Sequence, residues 1–130
     1  MQVAVRTRVY IVEDSPSIRE RLLEMLSSQG ISVVGEAESP AEAIAGIRRL
    51  RPDCVVLDLK LLGGSGIEVL DELHPEFPEM TFIVLSNHAD PPYRRRCEAA
   101  GARFFLDKST EFARITDLIT GLDPVRSSEN

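Results

Sequence analysis

The sequence predicts an α/β protein in which five strand–helix units build one doubly wound, five-stranded parallel sheet. Three observations predict it. Short apolar runs rich in β-branched residues recur along the chain, continuous rather than alternating, as in strands buried on both faces. Segments with apolar residues at helical spacing fill the intervals between them. Proline, glycine and hydroxyl residues punctuate the joins.

Val9-Tyr10-Ile11-Val12 is the first strand. After Asp14, Ser15 is placed to cap a helix and Pro16 suits its first position. Ile18, Leu22, Leu23 and Leu26 repeat along that helix and Gly30 ends it. Ile31-Ser32-Val33-Val34 is a weaker run, read as a strand nearer an edge. Ser39-Pro40 opens a second helix with Ala43, Ile44 and Ile47, which stops before Pro52. Cys54-Val55-Val56-Leu57 is the third strand. Gly66 precedes a third helix with Ile67, Leu70 and Leu73 on one side and Pro75 as its stop, and His74 reads as its end. Thr81-Phe82-Ile83-Val84-Leu85 is the fourth strand, and Pro91-Pro92 start a short helix that runs to Ala100 and ends at Gly101. Arg103-Phe104-Phe105-Leu106 is a second strand nearer an edge. Ser109 or Thr110 caps a fifth helix striped by Phe112, Ile115, Leu118, Ile119 and Leu122.

A length of 130 residues suits one compact core. With 43% hydrophobic and 28% charged residues, the composition is that of an ordinary soluble globular protein. No apolar run approaches the roughly 20 residues needed to cross a bilayer. The start, Met1-Gln2-Val3-Ala4-Val5-Arg6, lacks the features of a secretory signal, so a cytoplasmic location without membrane attachment is expected. A net charge of −6 argues against direct nucleic-acid binding, although Arg94-Arg95-Arg96 runs against that trend. Cys54 and Cys97 form neither a CxxC pair nor a metal-ligand spacing and read as small buried residues. Gly63-Gly64-Ser65-Gly66 has the wrong spacing for dinucleotide binding and does not follow the first strand.

In an open α/β sheet, ligands bind beyond the carboxyl ends of the strands. Here those ends carry Glu13-Asp14, Asp58, Ser86 and Asp107-Lys108. If the strands lie side by side, carboxylates, a hydroxyl and an ammonium share one edge. Two carboxylates about 4 Å apart repel by ~4 kcal/mol at an effective dielectric near 20. A hard divalent cation removes that cost, and Asp58 then becomes a competent nucleophile toward phosphorus. Lys108 and Ser86 can meet the oxygens of the transferred group.

With these residues in view, the chain resembles the receiver domain of two-component response regulators over residues 7–122, leaving 1–6 and 123–130 as short tails. The resemblance implies a flavodoxin-like strand order. It implies that Glu13 and Asp14 hold Mg²⁺ (or Mn²⁺), that Asp58 is the phosphoacceptor, and that the Lys60 backbone carbonyl completes the metal site. Gly66 matches the glycine that opens the third helix, Ser86 the hydroxyl position, and Lys108 the lysine. Phe105 fits the aromatic that turns inward on activation. Lys60 and His88 match positions that influence how fast the phosphoryl group is lost. The fourth helix, fifth strand and fifth helix would form a partner or homodimer surface, where Arg94-Arg95-Arg96 would suit an acidic partner. A sensor histidine kinase or histidine phosphotransfer protein would be the donor and another protein the target. The chain would catalyse its own phosphorylation and dephosphorylation without being an enzyme in the turnover sense. With no effector domain in the sequence, output would pass through protein–protein contact.

Two departures stand out. Leu62 lies where many receivers have proline, which leaves the loop from Lys60 to Gly66 more mobile, and Ser109 follows the lysine in place of proline, so no cis peptide is expected there. Other readings carry less. Asp14 as a mere helix cap would leave Glu13 and Asp58 unexplained, and Ser86 would otherwise be a turn residue. A receiver-like module that no longer takes phosphate is opposed by the complete site. An aspartyl-nucleophile phosphatase would need a second acid where Asp58-Leu59-Lys60 has none.

Overall fold

The computed structural model describes residues 6–122. The tail expected at 123–130 lies outside the described residues, as does all of 1–6 except Arg6. Five strands form the sheet: β1 (Arg8–Val12), β2 (Ser32–Ala37), β3 (Cys54–Leu57), β4 (Thr81–Ser86) and β5 (Phe104–Asp107). Their order is β2-β1-β3-β4-β5, and every pairing is parallel. This is the doubly wound arrangement expected from the sequence, with the order reversing at β1 and β3. The two weaker runs occupy the edges, because an edge strand buries less of itself and needs less apolar side chain.

The helices are α1 (Pro16–Ser28), α2 (Pro40–Leu50), α3 (Gly66–Leu73), α4 (Pro91–Ala100) and α5 (Arg114–Thr120). Alternation along each strand sends side chains to two separate cores. Val9, Ile11, Val56 and Leu85 pack with α1 and α5 through Leu22, Leu26 and Ile115. Tyr10, Val12, Val55 and Val84 pack with α2 and α3 through Ile47, Val69 and Leu70. Ser15 and Ser39 cap α1 and α2 as expected, their hydroxyls accepting from Ile18 N and Glu42 N. The cap role therefore falls to Ser15, which leaves Asp14 free of it.

Three details differ from the sequence reading. Strand β2 runs on to Ala37, so its carboxyl end lies beside that of β1: Glu13 N donates to Ala37 O at 2.9 Å. Helix α5 starts at Arg114, not at Ser109 or Thr110. The backbone N–H groups of Thr110 and Glu111 turn back onto the Asp107 carbonyl, and Phe112 packs from that turn beneath the Arg21 guanidinium. The segment from Lys60 to Ser65 is a short antiparallel ladder, with Lys60 opposite Ser65 and Leu61 opposite Gly64, and it is anchored by Leu62 N on Glu38 O. Both cysteines are buried and free.

Candidate functional site

Register places the site. Val12 pairs with Leu57 and Leu57 with Val84, so Glu13 and Asp58 leave the sheet side by side. Ser86 pairs with Asp107, which brings Lys108 over the same end. Lys108 Nζ donates to Asp58 Oδ2 and to Glu13 Oε1, both at 2.9 Å. The three side chains are only 10, 9 and 3% exposed, so this is a buried ion triad and not a surface pair. Asp58 Oδ1 accepts from Leu59 N at 2.7 Å, and Glu13 Oε2 accepts from Ser15 N at 3.1 Å.

Burial pushes the Glu13 carboxyl above the usual range, and the neighbouring Asp58 charge adds to it, against the Lys108 hydrogen bond. Burial alone would lower Lys108, but its bonds to Asp58 and Glu13 outweigh it and hold the ammonium above its ordinary value.

Glu13, Asp14 and Asp58 each turn a carboxylate oxygen to one spot, all within 4.8 Å of one another. An all-oxygen, anionic donor set of this kind fits a hard divalent cation. These residues line an open cleft of about 290 Å³ together with Lys60, His88 and Lys108. Lys60 and His88 are exposed, and the His88 ring lies 5.7 Å from that of Tyr93. Gly66 explains how α3 meets the site. A Cβ there would stand 2.2 Å from the Asp58 carbonyl oxygen, so only glycine lets the helix start against the Asp58 backbone.

Ser86 is fully buried, and its hydroxyl oxygen accepts from His88 N at 3.0 Å, which leaves its proton available to another acceptor. Phe105 is 8% exposed, packed in the core with Val84. The expected basic stretch does not act as one face. Arg94 turns inward over the Phe105 ring at 4.8 Å and donates to the carbonyls of Ala89 and Phe105. Arg96 pairs with Asp71 on α3, and Arg95 is exposed.

One contributor escaped the sequence reading. Arg19 on α1 donates from Nη1 to the Glu13 carbonyl at 2.9 Å. Its signal was a cation near the positive end of a helix, where the helix dipole disfavours it.

The response regulator receiver domain family matches residues 9–120. The chain is 34% identical over 107 residues to the transcriptional regulatory protein FixJ of Azorhizobium caulinodans, covering 82% of this chain and 50% of that protein. It is 30% identical over 121 residues to the DNA-binding transcriptional activator DevR/DosR of Mycobacterium tuberculosis, covering 92% and 56%. The non-phosphorylated HemR receiver domain from Leptospira biflexa superposes with a TM-score of 0.81 at 28% identity, covering 91% of this chain and 97% of that one. The chain spans about half the length of the curated relatives it matches.

Proposed function

Because this chain belongs to the response regulator receiver domain family of two-component systems, we propose that it is a phosphoacceptor switch which takes a phosphoryl group on Asp58 from a histidine kinase or histidine phosphotransfer protein. The observation that carries the reading is the Lys108 ammonium bridging Asp58 and Glu13 beside a third carboxylate, Asp14.

Asp58 is the nucleophile: a bond forms between its carboxylate oxygen and phosphorus as the donor's nitrogen–phosphorus bond breaks, its electron pair returning to the imidazole. Glu13 and Asp14, with Asp58 and the Lys60 backbone carbonyl, would hold Mg²⁺ or Mn²⁺. When bound, that cation would supply neutralisation of the charge building on the phosphoryl oxygens. Lys108 is already in reach of Asp58 and exchanges a carboxylate oxygen for a phosphoryl one. Ser86 turns its free hydroxyl proton to the same group, and the shift of its backbone is felt by His88 and the loop leading to α4. Phe105 responds through Arg94, which ties that loop to β5. Lys60 and His88, exposed at the mouth, govern access of the water that removes the phosphoryl group.

In this reading residues 7–122 are the receiver unit, working in the cytoplasm. The output is a protein contact on α4, β5 and α5, or a homodimer through that face. The test is incubation with a small phosphodonor, with and without Mg²⁺, followed by intact-mass measurement. A metal-dependent phosphoryl adduct that disappears in Asp58→Asn is expected. An adduct that persists in that variant would overturn the assignment.

A further inference from the structure

Asp14 differs from its two neighbours in the acidic cluster. Glu13 is held by Lys108 and Ser15 N, and Asp58 by Lys108 and Leu59 N. Among the described residues, no donor bonds to the Asp14 carboxylate, which is half-buried. With no donor to hold it, its position depends on the backbone from which it springs and on its own rotamer. That backbone is fixed on both sides of Glu13: Glu13 N donates to Ala37 O on β2, and the Glu13 carbonyl accepts from Arg19 Nη1 at 2.9 Å. The second bond fixes the plane of the peptide joining Glu13 to Asp14, and Ser15 N on Glu13 Oε2 holds the peptide that follows, so the Asp14 Cα–Cβ bond is held from both sides.

Arg19 is itself held. Nη1 also donates to Glu38 Oε2 at 3.2 Å, and Nε lies 3.3 Å from Glu36 Oε1. The side chain is only 18% exposed. As the fourth residue of α1, a cation gains nothing from the helix, whose amino end already carries positive partial charge. The two glutamates at the end of β2 offset that charge, so a guanidinium can sit behind a cation-binding cluster without repelling its ligand.

We propose that Arg19 is a positioning residue for the acidic pair: by pinning the Glu13 carbonyl it aims the Asp14 carboxylate, and with Glu36 and Glu38 as its own holders it sets the affinity of the cluster for a divalent cation. This rests on reading Glu13, Asp14 and Asp58 as that cation site. Arg19 touches neither the cation nor the phosphoryl group and acts only through the peptide between two ligands.

The test is calorimetric titration of Mg²⁺ into the full chain, for the wild type, Arg19→Met, Glu36→Gln/Glu38→Gln and Arg48→Met. Arg48 is the control, since it also joins elements through two glutamates, Glu72 and Glu76, but far from the cluster. Outer supports of metal ligands are typically worth ten- to a hundredfold, so Kd should rise about tenfold in Arg19→Met and about threefold in the double glutamine variant. The Mg²⁺ concentration that half-saturates phosphorylation should rise by the same factors, while Arg48→Met loses stability without a change in Kd. An Arg19→Met Kd within twofold of the wild type would overturn the proposal. If Arg19→Met does not fold, an unchanged Kd in the double glutamine variant overturns it equally. A wild-type chain that binds no Mg²⁺ would instead remove the cation-site reading, and this proposal with it.

Discussion

At the scale of single residues, the Lys108 ammonium stands between two carboxylates that would otherwise face each other inside the protein. Replacing it with methionine leaves Asp58 and Glu13 buried without their cation. Breaking a buried pair by removing one partner costs about 3 kcal/mol or more, and Lys108→Met should lose that much in urea unfolding without divalent ions. Added Mg²⁺ should restore part of the loss, because it answers the same two charges. Glu13 gives a pH signature. Its folded pKa is raised above the ordinary 4.5, so the folded state holds the proton more tightly than the unfolded one. The stability this contributes is present below pH 4.5 and is lost as pH rises through the raised folded value. Metal-free Glu13→Gln should therefore lack that decline, and unfolding free energies measured across the acid range should show the two curves diverging as pH rises.

Among the elements, the contact of β1 with α2 shows what a pattern of apolar residues does not reveal. Gly46 sits inside α2, where alanine is usually better by up to about 1 kcal/mol. Yet a Cβ at Gly46 would stand 2.2 Å from the Tyr10 hydroxyl, which donates to Glu36 O on β2. Gly46→Ala should thus destabilise by about 1–3 kcal/mol, as other overpacked sites do. In a Tyr10→Phe background the penalty should shrink, which a double-mutant cycle in urea would measure. The strands, four helix starts and the acidic strand ends were legible in the sequence, because continuous β-branched runs, Ser-Pro and Pro-Pro starts and strand-terminal carboxylates are local signals. The start of α5 was not. Phe112 fits a helical stripe, but a reversal held by the Asp107 carbonyl, and by Glu111 Oε1 on Asp107 N, delays the helix. Nor were Gly46 against Tyr10 or Arg19 against Glu13, since each joins residues on different elements.

For the whole molecule, the site stands at the carboxyl end of a sheet whose two faces carry separate cores, so a ligand bound there reports on the intact fold. A cation that binds only the folded chain stabilises it by RT ln(1 + [L]/Kd), about 2.7 kcal/mol at a hundred times Kd. Thermal unfolding should move up by several degrees in excess Mg²⁺, and Asp14→Asn should abolish most of that shift. A melting temperature indifferent to Mg²⁺ in the wild type would contradict the cation site. The Lys108 bonds bear on the chain in time as well. They join residues 95 and 50 positions apart, Glu13 and Asp58 having been made long before Lys108. During synthesis Asp58 emerges early but stays without Lys108 until the whole of β5 has left the ribosome. On the proposed function, a half-made chain would therefore lack the finished acceptor, and a kinase would meet a competent target only once translation has gone past β5.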